Sequence, residues 1–211
     1  MASCAANAAS VRMDYGTYHS GNGGEFKATP IAFPFTPRSL VGDGTFSTFC
    51  LETNEYFSPG STYHVTFDPY AIKGGTGGGN PDPLSDESAY LYLKFITGTL
   101  NDFNYADAGG TRASVSSAAL QAALWSLEDE TGATANLNPD ALAQATAWIT
   151  QAHQAVQGGY RNDGSVFVMN LYDANGNNSQ SQIVSQVPAP AAFGAGLVGM
   201  FGLSFGRRRH A

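Results

Sequence analysis

Cysteine is nearly absent from this chain of 211 residues: there are two, Cys4 and Cys50. That excludes a disulfide-stapled scaffold and any zinc site built on several thiolates. Charge is scarce as well, at 13% of residues against roughly 25% in an ordinary soluble protein. With 25 glycines and long runs of Asn, Ser and Thr, the polar surface is made of neutral side chains and loops, more the composition of an exported protein than of a cytoplasmic enzyme. Basic residues are the scarcest charged class, 10 Lys and Arg against 17 Asp and Glu, for a net charge of −7. Three of the ten are Arg207, Arg208 and Arg209, so everything upstream is more acidic still, and nucleic acid is excluded as a partner. The histidines, at 19, 64, 153 and 210, have no metal-ligand spacing, and neither metal nor cofactor is expected. The run GGTGGG at 74–79 lacks the Lys-Ser/Thr ending of a phosphate-binding loop. It is read as a flexible connection closed by Asn80-Pro81-Asp82-Pro83. What is present is apolar content of 43%, of which aromatics are 12% of the chain, enough for the core of one domain.

Both ends read as processing signals. Ala6-Asn7-Ala8 has the small-x-small form of a signal-peptidase site, which makes residues 1–9 the remnant of a longer export signal. An acylated Cys4 at the end of a lipoprotein signal is the alternative, and an Ala-rich disordered leader the plainest one. At the other end, Val187-Pro188-Ala189-Pro190 precedes an uncharged, Gly-containing stretch at 191–206 and then the Arg triplet. Such a stretch is short for a membrane span, and flanking arginines can snorkel. Residues 187–211 resemble the PEP-CTERM sorting signal of exported bacterial proteins, with Ala189 where that family usually carries Glu. The resemblance implies transient membrane anchoring through residues 191–206, an exosortase-type processing enzyme as partner, and a destination at the cell surface or extracellular matrix.

Residues 10–186 form the body. Alternating or aromatic-rich runs at 11–17, 27–35, 45–51, 63–67 and 166–172 predict strands, and a turn at Asn175-Gly176 returns the last of these into 182–184. Between them lie three helices. Ser85 caps the first ahead of Asp86 and Glu87, the second covers 114–131, and the third opens on Asn138-Pro139 and stops before Gly158-Gly159. This pattern gives an α+β fold: a mainly antiparallel β-sandwich or barrel-like body with inserted helices, followed by a short C-terminal transmembrane or sorting helix.

If Cys4 is removed or acylated, Cys50 stands alone. A small buried hydrophobe among Phe46, Phe49 and Leu51 is one reading; a nucleophile needing His64 or His153 as base is another. Phe49-Cys50-Leu51-Glu52 closes a strand, and Leu120-Gln121-Ala122-Ala123-Leu124-Trp125 lies in the second helix. Helical spacing puts Gln121 and Trp125 one turn apart, and the two alanines leave room for a strand end to approach. Alternatively Leu120, Leu124 and Leu127 make a buried stripe and Gln121 is solvated. These two segments resemble the aromatic-Cys-aliphatic-acid and Gln-x-Ala-aliphatic-Trp signatures of the thioester domains of bacterial surface proteins. The resemblance implies that Cys50 supplies the sulfur and Gln121 the acyl group of an intramolecular thioester, with Trp125 supporting. It further implies covalent capture of surface or matrix protein amines or polysaccharide hydroxyls, in adhesion or matrix attachment, by a protein that is not an enzyme. A non-covalent structural or carbohydrate-binding matrix protein is the alternative, and a glycan hydrolase comes third. Among smaller features, Asp173, Asn175 and Asn177 fit a hairpin turn better than a calcium loop. Glu128, Asp129 and Glu130 are expected on a solvated face, and Tyr56, Tyr63, Tyr90, Tyr92 and Tyr105 are candidates for stacking on sugars.

Overall fold

The computed structural model describes residues 8–21, 23–106 and 110–187. Of the expected export remnant at 1–9, residues 1–7 lie outside the described residues, and so does the sorting segment at 187–211 beyond Val187. Among the described residues no helix is long and apolar enough to cross a membrane.

The described residues form eight strands and three helices in the order β1 (Ser10–Ser20), β2 (Gly23–Ile31), β3 (Phe46–Thr48), β4 (Ser61–Asp68), β5 (Tyr70–Ala71), β6 (Asp82–Pro83), α1 (Asp86–Ile96), α2 (Thr111–Leu127), α3 (Pro139–Gln157), β7 (Val166–Tyr172) and β8 (Gln182–Ser185). Six of the strands make one antiparallel sheet in the order β3-β2-β1-β4-β7-β8. The two edges then meet. Running on from β3, the chain lays Phe49 to Leu51 against β8: Ile183 N–H donates to the Phe49 carbonyl at 3.1 Å and Leu51 N–H to that of Ser181 at 3.1 Å. Thr48 Oγ1 adds a bond to the Ile183 carbonyl at 2.6 Å. Edge strands left open are aggregation templates, and this seam converts the open sheet into a nearly closed barrel. The α+β expectation is met, and of its two architectures the barrel-like one is present.

Alternation explains the two faces. In β4, Tyr63 and Val65 point inward while Thr62, His64 and Thr66 are exposed, the half-buried strand period of two. The barrel interior gathers Val11, Met13, Phe26, Phe46, Val65 and Leu171, with Cys50 among them. On β7, β8 and the seam the opposite face is buried too: Val166, Val168, Ile183, Phe49 and Leu51 pack under the helices.

The helices start as the sequence signals dictate. Ser85 Oγ accepts from Ser88 N–H at 3.0 Å, and Asn138 Oδ1 accepts from Ala141 N–H at 2.8 Å ahead of Pro139. Helix α2 begins at Thr111 and ends at Leu127, short of the expected 131, because Asp129 adopts a left-handed φ of 59°. Both faces of α2 are covered, and Ala113, Ser116, Ser117, Ala119, Ala122 and Ala123 are buried; side chains this small allow the helix to sit close to the sheet. Its placement is fixed through Glu25. A register shift between Tyr15 and His19 makes room for the Glu25 carboxylate, which accepts from Tyr18 N–H at 2.8 Å and Ser47 Oγ at 2.5 Å. Glu25 N–H in turn donates to Ser117 Oγ at 2.7 Å.

Phe95 of α1 is fully buried and packs its ring against Phe49, Phe103, Tyr18 and Tyr105. Phe95→Ala is expected to cost about 3–5 kcal/mol through lost transfer energy and a residual cavity, read as a lower urea midpoint at unchanged m-value.

Candidate functional site

The seam leaves Cys50 in a particular orientation. Cys50 and Gln182 are bridge partners, and the bonds on either side are made by Phe49 and Leu51. The pair is therefore the non-hydrogen-bonded kind, in which the N–H and C=O of Cys50 point away from β8. Buried backbone groups need partners, and both find one on α2. Cys50 N–H donates to Gln121 Oε1 at 3.1 Å, and Gln121 Nε2 donates to the Cys50 carbonyl at 2.7 Å. The carboxamide thus occupies the position of a neighbouring strand. Gln121 is 1% exposed, so it is not the solvated residue that one reading of the helix allows.

The thiol is free and buried. Its sulfur lies 3.3 Å from Gln182 Nε2, whose Oε1 in turn accepts from Thr48 Oγ1 at 3.4 Å. Burial raises the thiol well above its ordinary range; the Gln182 contact opposes this and the charge of Glu52 adds to it. Neither histidine assists. His64 pairs with Ser10 at 3.3 Å and His153 with Glu87 at 3.4 Å, away from the seam. A Cys-His pair is not assembled.

Trp125, one turn beyond Gln121, lies at the edge of the barrel core and its buried Nε1 has no hydrogen-bond partner. Opposite stands Gly23. A Cβ there would come within 3.1 Å of Gln121 Cγ and 3.3 Å of the Trp125 ring, so only glycine leaves both side chains undisturbed. Together these residues floor a cavity of about 510 Å³ whose other walls include Tyr56, Thr131, Asn136 and Gln180.

A layer of acids surrounds the seam, contrary to the expectation that Glu128 and Glu130 are solvated. Only Asp129 is exposed. Glu128 accepts from Ser85 Oγ at 2.7 Å and Ser85 N–H at 3.2 Å, and burial pushes it up to about 7. Glu130 accepts from Thr53 N–H at 2.8 Å, Thr76 N–H at 2.9 Å and the hydroxyls of both threonines. The glycine run is not a loose connection either. Side chains at Gly75 or Gly77 would collide with the Glu130 carboxylate or the Asp129 carbonyl, so the run wraps tightly around the end of α2. Glu52, 1% exposed, accepts from Ser181 N–H at 3.0 Å through Oε2 while Oε1 has no partner. Burial, then the charge of Glu55, pushes it up to about 9.

Other candidates disperse. Tyr63 and Tyr92 are in the core, Tyr90 packs on Tyr160, Tyr105 packs on Phe95, and Tyr56 is exposed. The tyrosines form no common sugar platform. Asp173 Oδ1 accepts from the N–H groups of Asn175 and Asn177, each at 2.8 Å, which is a hairpin turn. Among the described residues no group of His, Cys, Asp and Glu is arranged to hold a metal ion. Gln182, Gly23, Glu128 and Glu130 belong to the site although sequence reasoning did not select them. Comparison with protein-family models, with curated proteins and with solved structures gives no match.

Replacing Gln121 by Leu orphans two buried backbone groups and should cost about 2–5 kcal/mol, measurable by urea denaturation. The raised carboxyls give a second expectation. Folded Glu52 and Glu128 keep protons that the unfolded chain, at 4.5, has released. Their contribution is complete below the unfolded value and disappears as pH rises through the folded one. Thermal stability should therefore fall between about pH 5 and about pH 9, and Glu52→Gln should flatten that fall.

Proposed function

We propose that Cys50 and Gln121 form an intramolecular thioester, and that the protein spends it once to attach itself covalently to an amine or hydroxyl on a surface or matrix target. The observation that carries this reading is the buried Gln121 carboxamide held against the backbone of Cys50 by two hydrogen bonds. In thioester formation the Cys50 sulfur attacks Gln121 Cδ, the C–S bond forms, the C–N bond breaks, and the nitrogen leaves as ammonia carrying the thiol proton. The two bonds hold the carboxamide against the residue that carries the thiol, a proximity that free thiol and amide lack.

Burial works in favour of the product. A thiolate is penalised inside the barrel, as the raised thiol testifies, whereas a thioester is neutral and carries no such penalty. Capture reverses the pattern: the target nitrogen or oxygen bonds to Gln121 Cδ, the C–S bond breaks, and the target's proton goes to the sulfur. Glu52 lies two residues further along the seam, and burial pushes its carboxyl up to about 9. The amide or ester so formed is more stable than the thioester it replaces, so the new bond is not taken back. This single reaction is attachment and not turnover. Export, surface sorting by the C-terminal segment and transient membrane anchoring belong to the same proposal.

The other reading is a non-covalent matrix or carbohydrate-binding protein in which Gln121 merely completes the hydrogen bonding of Cys50. Intact mass separates them. Expected for a thioester is a mass one ammonia below the sequence value, a gain of one methylamine on treatment, and loss of both in Cys50→Ala. A mass equal to the sequence value, unchanged by methylamine, would establish the non-covalent reading.

A further inference from the structure

Beside Gln121 opens the cavity of about 510 Å³, and its chemistry narrows the acceptor. Among the described residues none that lines it carries a charge or an imidazole: hydroxyls come from Ser20, Thr53 and Thr131, amides from Asn136 and Gln180, and ring surface from Tyr56 and Trp125. A lysine side chain, with its pKa of about 10.4, arrives as an ammonium. The rings of Tyr56 and Trp125 can attract that charge, but no carboxylate or imidazole among the described lining residues removes its proton. A hydroxyl meets the same lack of a base, and is a weaker nucleophile besides. The amine suited to the lining is one already largely neutral near pH 8, as α-amino groups are at about 7.7–8.0. Electron-withdrawing hydroxyl-bearing carbons lower an amine's basicity in the same direction.

Such amines occur on sugar rings, and the walls fit one. A pyranose has an apolar C–H face for an aromatic ring and a rim of hydroxyls for amides and threonines. Tyr56, 75% exposed, has open ring surface to offer. The unpartnered Nε1 of Trp125 can turn toward an entering hydroxyl without breaking an existing bond. A side chain at position 23 would crowd Gln121 and Trp125, and glycine leaves that space free. We propose that this groove binds an amino-sugar glycan and presents its free amine to Gln121. This rests on the thioester reading: the amine nitrogen bonds to Gln121 Cδ, the C–S bond breaks, and the amine's proton passes to the Cys50 sulfur.

The test uses the full chain with three probes: a glucosamine tetramer, its fully N-acetylated counterpart and a lysine-containing peptide with its N-terminus acetylated. Covalent adducts are read by intact mass, with methylamine as the control for the thioester itself. The glucosamine tetramer should add at least about tenfold faster than the peptide near pH 8, and the N-acetylated tetramer should compete without adding. Tyr56→Ala should slow the tetramer about tenfold relative to methylamine on the same variant, by loss of one aromatic contact. A peptide that adds as fast as the tetramer would overturn the proposal in favour of a protein amine, and so would a Tyr56→Ala variant with its tetramer rate unaltered relative to methylamine. Failure of the thioester shows separately, as no ammonia loss and no methylamine adduct. Sugar binding is then decided by tryptophan fluorescence with the two tetramers, and no response to either overturns the groove assignment as well.

Discussion

The carboxamide of Gln121 bonded to the backbone of Cys50 is the contact on which the rest of the arrangement depends. A six-stranded sheet of this size closes only if its edges are brought together, and the closing residues must direct half of their backbone groups away from the partner strand. In water those groups would be solvated. Here they face the middle of α2, and a side-chain amide is the one group in the common repertoire that both donates and accepts in the spacing of a strand. Barrel closure, helix position and the pairing of cysteine with glutamine are therefore one constraint. Small residues on α2, glycine at 23 and the Glu25-Ser117 bond all serve the close approach it requires.

Acids buried around the seam make sense in the same frame. Glu128 and Glu130 leave the end of α2 and bind the start of α1 and the segments at Thr53 and Thr76. Each satisfies several donors at once, which is how a loop-rich wall becomes rigid without regular strands. Glu52 differs, because one of its oxygens is unused.

Much of the fold was legible in the residues because local signals and burial agree. Ser85 and Asn138-Pro139 start helices, and the alternation in β4 separates core from solvent. Aromatic residues at 33 and 35 suggested a strand running to 35, but β2 ends at Ile31. The end of α2 was misplaced because nothing local marks Asp129 for a left-handed conformation; what sets it is the pull of Glu128 and Glu130 on partners more than forty residues away. The glycine run misled for the same reason, since its tightness comes from the carboxylate it encloses. Cys50 and Gln121 were legible as a pair only through the two short signatures. Gln182 carries no such signature, and register alone puts it beside the sulfur.

The exit of the chain at Val187 has a mechanical consequence. β8 is hydrogen-bonded to β7 on one side and to the Cys50 segment on the other, and Val187 N–H is itself tied to the Thr36 carbonyl at 2.9 Å. A pull on the C-terminal continuation runs along the strand, so both ladders are loaded in shear and must yield together instead of unzipping one bond at a time. In the capture proposed above, load enters at Gln121 in the middle of α2, and the path from there to Val187 runs through the seam between the Cys50 segment and β8.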